Sequence, residues 1–166
     1  MTKQIALGGK RGKGKHVIVD ASTFNWLNSF SWSLTATGYA EARCYGKNVH
    51  MHRLITSAPK GKQVDHVNGD KLDNRECNLR LCSASQNLCN KGKPASAATH
   101  PYKGVCYVPQ LNKRNPWMAY ISSARLRKHI GYFASAQLAA EAYDSEAIRL
   151  HGVFASLNFK RDTAHV

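Results

Sequence analysis

The stretch "KGKPASAATHP", residues 91–101, limits what this 166-residue chain can fold into. It is small, basic and closed by a proline, with no apolar residue recurring at a strand or helix period, so it reads as a linker. A break there leaves two modules, each with material for only a modest core. Charge is also unevenly spread. The formal net charge is +14, and no Asp or Glu occurs between Glu76 and Glu141, where Arg80, Lys91, Lys93, Lys103, Lys113, Arg114, Arg125, Arg127 and Lys128 fall. That pattern asks for a polyanionic partner. A membrane-surface protein would set such charge opposite an apolar helical face, whereas this stretch is rich in Gly, Pro and β-formers, so nucleic acid is favoured.

Cysteine usage points to the reducing interior of a cell. Cys44, Cys77, Cys82, Cys89 and Cys106 are odd in number and form no C-x-x-C pair. Neither a disulfide framework nor a zinc knuckle is indicated, and buried reduced thiols are expected. No run approaches the ~18 apolar residues of a membrane span. Residues 8–16, "GGKRGKGKH", come close to the phosphate-cradling pattern G-x-x-x-x-G-K-[ST]. However, His16 stands where a hydroxyl is needed, and no apolar strand precedes the glycines. Residues 1–15 therefore read as a flexible basic arm.

The first module spans 16–92. "HVIVD" (16–20) is a short β run, and Asp20 with Ser22 or Thr23 suits the cap of a helical turn carrying Phe24, Trp26 and Leu27. Residues 32–55 alternate Trp32, Leu34 and Tyr39, Ala40, Ala42 and Cys44 around turn signals at Thr37-Gly38 and Gly46-Lys47, which predicts a β meander. The second module, 102–160 behind a 93–101 linker, holds three β runs, "GVCYV", "WMAYIS" and "RKHIGYF", and then a helix over 135–152. Ser135 suits its N-cap, Gly152 its C′ stop, and Ala139, Ala142, Tyr143, Ala147 and Leu150 its buried face. The predicted fold class is α+β.

Chemistry concentrates in "QVDHVNGDKLDNRECNLR", residues 63–80. A surface turn explains Asn68-Gly69 by the positive φ of a tight hairpin, but not the Asp65-His66 pair before it. A calcium loop fails in register, because Val67 stands where an oxygen ligand is needed. A hairpin ending at Asp65-His66, a polar loop and a helix opened by Ser83 or Ser85 would bring His66 to Asn87. A histidine, with a reference pKa of ~6.5, can take a proton from water near neutrality. An Asp and an Asn oxygen suit a hard divalent cation that keeps positions for water and phosphate. The bland alternative is a hairpin histidine with satisfied bonds and no chemistry. For His50, His52 and Arg53, nearby in sequence, phosphate contact competes with plain packing.

"MHRLI…PKGKQVDHVNGDKLDNRECNLRLCSASQNLCN" (51–90) closely resembles phage HNH homing endonucleases of the ββα-metal fold. Asn78 follows His66 by twelve positions and Asn87 follows Asn78 by nine, in "NLR" and "SQN" surroundings. "WSLTATGYAEA" also looks like the β segment that precedes the motif. The resemblance covers about residues 16–92. It implies His66 as general base, Asp65 and Asn87 as ligands of one Mg2+ or another divalent cation such as Mn2+, and Asn78 as the residue that ties the loop and orients His66.

Residues 102–159 resemble the ethylene-response-factor (Apetala-two) type DNA-binding domain, on "KGV", "W-x-A-x-I", "IGYF", "AAEAYD" and "HG-x-F-A-x-LNF". The resemblance implies a three-stranded antiparallel sheet that enters the major groove, packed on one helix. With a strand period of two, Trp117, Ala119 and Ile121 face the helix, while Met118, Tyr120 and Ser122 face outward with Arg127 and His129 of the next strand. Lys103, Arg125, Arg127 and Lys128 are expected on phosphates. Cys106, Tyr120 and Ser122 replace arginines that read bases in that family, so its sequence preference does not carry over.

Together these resemblances imply site-directed, metal-dependent hydrolysis of phosphodiester bonds in double-stranded DNA. One strand would be nicked by a monomer with no evident protein partner, in the bacterial cytoplasm if the chain is phage-encoded. The alternative is a non-catalytic, sequence-specific DNA-binding regulator, against which the complete set Asp65, His66, Asn78 and Asn87 speaks. An RNA-binding accessory role lacks its aromatic signature.

Overall fold

The computed structural model describes residues 1–89, 101–123 and 126–159. Two compact units divide the chain, Met1–Asn87 and Leu88–Val166. The linker expected at 93–101 falls almost wholly outside the described residues, as does Arg125. No helix among the described residues is long and apolar enough to cross a membrane.

The first unit opens with β1 (Thr2–Ala6), a helical turn α1 (Gly9–Gly12) and β2 (His16–Asp20). β1 and β2 pair antiparallel, with Thr2 opposite Asp20 and Ala6 opposite His16. This corrects the flexible arm expected at 1–15. Ile5 and Leu7 are buried together with Val17 and Val19. The inward face is a period-two pair that the surrounding lysines mask in sequence. α2 (Ala21–Leu27) follows; Thr23 Oγ1 donates to the Asp20 carbonyl at 3.1 Å, and the Asp20 side chain makes no cap bond to this helix.

β3 (Ser33–Leu34), β4 (Ala40–Cys44) and β5 (Lys47–His50) form the expected meander in the order β3-β4-β5. Residues Met51–Ile55, read as its continuation, are instead a short helix, α3. Met51, Leu54 and Ile55 recur at helical spacing and pack into a core with Leu27, Trp32, Ala40, Ala42 and Cys44. β6 (Gln63–His66) pairs antiparallel with β7 (Leu79–Cys82), setting Asp65 opposite Arg80 and His66 opposite Leu79. α4 (Ala84–Cys89) closes the motif. Ser83 opens it through a reciprocal capping box: its Oγ accepts the Gln86 N–H at 3.2 Å, and Gln86 Oε1 accepts the Ser83 N–H at 2.8 Å.

In the second unit β8 (Val105–Tyr107), β9 (Trp117–Ser123) and β10 (Leu126–Phe133) form an antiparallel sheet in the order β10-β9-β8, followed by α5 (Ala136–His151). Ser135 Oγ caps α5 by accepting the Leu138 N–H at 3.2 Å, and Gly152 at φ +53° follows its end. Ala139, Ala140, Tyr143 and Ala147 are buried, as are Val105, Ala119 and Ile121 of the sheet. Leu150, expected on that face, is exposed because the buried part of α5 ends at Ala147. Asp144 is buried instead, accepting the N–H groups of Asn158 at 2.8 Å and Phe159 at 3.0 Å. Asn158 in turn bonds both the N–H and the carbonyl of Lys103, at 2.6 and 3.1 Å. The expectation of buried thiols holds for Cys44 and Cys82, whereas Cys77 is exposed because it sits in the 3-10 turn Glu76–Asn78 on the loop surface.

Candidate functional site

β6 delivers Asp65 and His66, both buried, to the mouth of a loop that returns at Asn78. The small polar side chains of this loop bind its own backbone, the local turn chemistry that Asn and Asp favour. Asn68 Oδ1 accepts the Asp70 N–H at 2.8 Å, and Asp70 Oδ1 accepts the Leu72 N–H at 2.9 Å. The buried Asp73 carboxylate takes Asn68 Nδ2 at 2.9 Å and the Nε and Nη2 of Arg75 at 2.7 and 2.5 Å. The Arg75 guanidinium holds that carboxyl below the usual carboxylate range. Asn78 joins the two ends: its Oδ1 accepts the Asn68 N–H at 3.0 Å, and its Nδ2 donates to the Asp73 carbonyl at 2.8 Å. Its own carbonyl accepts the Val67 N–H at 2.9 Å.

The His66 ring stands edge-on to His52, with centroids 5.2 Å apart and planes at 77°. His52 stacks on His50 at 5.4 Å and 16°, and Tyr39 leans on His52 at 4.9 Å and on His66 at 6.0 Å. Burial lowers the His66 pKa from its ordinary value, opposed by the Asn74 side chain and by Asp65, Asp70 and Asp73. Burial, assisted by His66, His50 and Arg53, brings His52 down to about 3. Both rings are therefore neutral at neutral pH, the form in which an imidazole accepts a proton. Packing accounts for His52, and Arg53 braces the following loop by donating to the carbonyls of Ala58 at 3.0 Å and Lys62 at 2.8 Å. Sequence reasoning missed Tyr39 and the buried Asn74 as neighbours of His66; an Asn four positions before Asn78 in a turn carries no signal of its own.

Across the β6–β7 ladder, Asp65 Oδ2 accepts Arg80 Nε at 2.8 Å and Nη2 at 2.6 Å. Asn87 Nδ2 donates to Gln63 Oε1 at 2.7 Å. Gln63 lies two positions from Asp65 on β6 and so on the same face, which brings Asn87 to the Asp65 side of the strand. A carboxylate and an amide oxygen fit a hard cation such as Mg2+, which keeps several waters and needs only one or two protein ligands besides phosphate. Among the described residues no group of three or more His, Cys, Asp or Glu could hold a metal alone, so waters or phosphate must complete any such sphere.

In the second unit the register sets Arg127 opposite Ser122 and His129 opposite Tyr120 on the outward face. The Arg127 guanidinium lies 3.5 Å over the Tyr120 ring, and His129 rests against Tyr132 at 4.8 Å. Cys106 pairs with Met118 on the neighbouring strand. Lys128 is not on that face. It stands opposite the buried Ile121, and its Nζ bonds Glu146 of α5 at 2.7 Å. Lys103 is half-buried, its backbone held by Asn158.

Residues 49–89 match the family model described as HNH endonuclease. The chain is also similar to an uncharacterized HNH endonuclease of Acanthamoeba polyphaga mimivirus, 29% identical over an alignment of 154 residues that covers 89% of this chain and 77% of that protein. No solved structure matches. Residues 49–89 are thus similar to the HNH endonuclease family, and they are followed in sequence by a small module of a three-stranded sheet and one helix.

Proposed function

We propose that the protein is a site-directed, divalent-metal-dependent endonuclease that hydrolyses phosphodiester bonds in double-stranded DNA inside the cell. The observation that supports this reading is the match of residues 49–89 to HNH endonucleases, within which β6 ends on Asp65-His66, Asn78 ties the loop that follows His66, and Asn87 bonds Gln63 two positions before Asp65. His66, neutral and flanked by carboxylates, takes the proton from the attacking water. Asn78 keeps the loop closed so that the ring need not reorganise during the reaction. Asp65 and Asn87 would hold a cation such as Mg2+, which supplies positive charge against the phosphate oxygens. With one such constellation per chain, one water attacks one phosphate, and the monomer nicks one strand, leaving a 5′-phosphate and a 3′-hydroxyl.

The second unit supplies the grip, in the manner of the ethylene-response-factor domain it resembles: Tyr120, Ser122, Arg127 and His129 form the contact face, with Lys103 and Arg125 as phosphate contacts. Lys128 is satisfied by Glu146 and contributes little. A second reading, a DNA-binding regulator without catalysis, is favoured by the Asp65–Arg80 ion pair, which already occupies a proposed metal ligand. Supercoiled plasmid incubated with and without Mg2+ separates the two. Open circles that form only with Mg2+ support the nuclease; binding without cutting at any divalent cation supports the regulator.

A further inference from the structure

The segment that matches HNH endonucleases begins at residue 49, yet the loop bearing the site is held from much earlier in the chain. The far edge of β2 runs alongside it. The Ile18 N–H donates to the Leu72 carbonyl at 2.8 Å, and the Asn74 N–H donates to the Ile18 carbonyl at 2.8 Å, forming a parallel bridge between Ile18 and Asp73. One turn on, Asp20 Oδ2 accepts the Glu76 N–H at 2.8 Å, across 56 positions. Asp20 sits where a helix cap is expected, but its carboxylate makes no bond to α2 and reaches out to this turn instead. Glu76 opens the 3-10 turn Glu76–Asn78, so Asp20 satisfies an N–H that this turn leaves orphaned. The same turn carries Asn78, whose side chain joins the two ends of the loop behind His66.

We propose that Asp20 is a positioning residue of the candidate nuclease site, holding the Glu76–Asn78 turn and, through Asn78, the backbone on which His66 stands. The inference rests on the nuclease reading for its effect on rate, but not for its effect on the loop. Asp20 touches neither His66 nor Asp65 in any of these contacts; its action passes through the backbone of the turn and the Asn78 side chain. Replacing it should loosen residues 67–78 and leave the core of the unit intact, because Asp20 is only half-buried and no apolar contact is lost.

The test uses the full chain as wild type, Asp20→Ala and Asp20→Asn, with two readouts. The first is amide hydrogen exchange without DNA. In Asp20→Ala the Glu76 amide and its neighbours in 67–78 should exchange faster, while β4 and β5 amides and the melting temperature stay near wild type; Asp20→Asn, which keeps an oxygen acceptor, should restore most of the protection. The second is nicking of supercoiled plasmid with Mg2+. Asp20→Ala should lower the rate at saturating DNA about fivefold, the scale of one hydrogen bond, with half-saturating DNA unchanged and partial recovery in Asp20→Asn. Unchanged exchange at 67–78 overturns the proposal, as does loosened exchange with an unchanged rate, or a rate loss that tracks a lowered melting temperature. If the wild type does not nick at all, the nuclease reading fails, and the exchange arm still decides whether Asp20 holds the loop.

Discussion

In the loop from Val67 to Asn78 the side chains of Asn68, Asp70, Asp73 and Asn78 are bound to the loop itself, whereas on the outward face of β9 and β10 Arg127 and His129 rest on aromatic rings. Two kinds of work explain two kinds of surface. A general base must be held within a fraction of an ångström of its working position, and the Asn68, Asp70, Asp73 and Asn78 side chains of this loop are spent on its geometry. A surface that grips a long polyanion gains more from cations that remain available to phosphates. The paired cations mark the exceptions: Arg75 and Arg80 answer Asp73 and Asp65, Lys128 and Arg149 share Glu146, and all four are tied to the fold.

The comparison breaks first at His66. His66→Ala should lower the cleavage rate by ~10²–10⁴ while leaving DNA affinity near wild type, because a neutral imidazole adds proton transfer and no phosphate charge. Rates measured at saturating DNA together with a filter-binding titration check both halves; wild-type cleavage by the variant would remove His66 from the mechanism.

A smaller effect separates the two units by acid. His52 has a folded pKa of about 3, well below its ordinary value, so the unfolded chain binds its proton first as pH falls. Stability from this group is therefore complete above the ordinary histidine pKa of ~6.5 and is lost progressively toward pH 3, on the order of a few kcal/mol in all. His66, also lowered, acts in the same direction. Chemical denaturation followed between pH 7 and 4 should show the first unit weakening, and His52→Phe should flatten much of that slope. A first unit equally stable at both ends would contradict the buried neutral rings.

In the second unit, Gly104 adopts φ +71°, and a Cβ there would run into the Tyr143 ring and the Tyr120 carbonyl. Gly104→Ala should destabilise that unit by roughly 2–3 kcal/mol through left-handed strain and overpacking. Its unfolding transition should shift, with that of the first unit unmoved.

The smallest effects sharpen the account of the open face. Arg127→Ala should reduce the slope of log affinity against log salt by about 0.9 if Arg127 neutralises one phosphate. Lys128→Ala should change the slope less, because the register sets Lys128 opposite the buried Ile121 and its Nζ is held by Glu146 of α5. Equal changes in the two variants would mean that the ion pair opens on DNA.

Much of this was legible in sequence where a period or a turn residue dictates local form. The hairpin at Asp65-His66, a serine cap at Ser83 or Ser85 that proves to be Ser83, and the Ser135 and Gly152 stops of α5 follow from local residue type, and the outward set Tyr120, Ser122, Arg127 and His129 follows from the strand period once the resemblance says which face meets the helix. What escaped depends on partners far away or on runs too short to show a period. β1 hid because two apolar residues stand among lysines, and α3 hid because five residues after a strand can continue the alternation. Asp20 looked like a cap for its own helix, and nothing local points to Glu76. Lys128 looked like one more basic residue until the register put it across from Ile121.

The most direct test of the division between a locked catalytic loop and an open gripping face is a steady-state comparison of His66→Ala and Arg127→Ala. Magnesium-dependent nicking of supercoiled DNA is measured across DNA concentration at fixed salt. His66→Ala should lower the maximal rate and leave the half-saturating concentration alone, while Arg127→Ala should raise the half-saturating concentration and leave the maximal rate alone. Both variants moving the same parameter, or a wild type that cuts no DNA with Mg2+, would contradict that division.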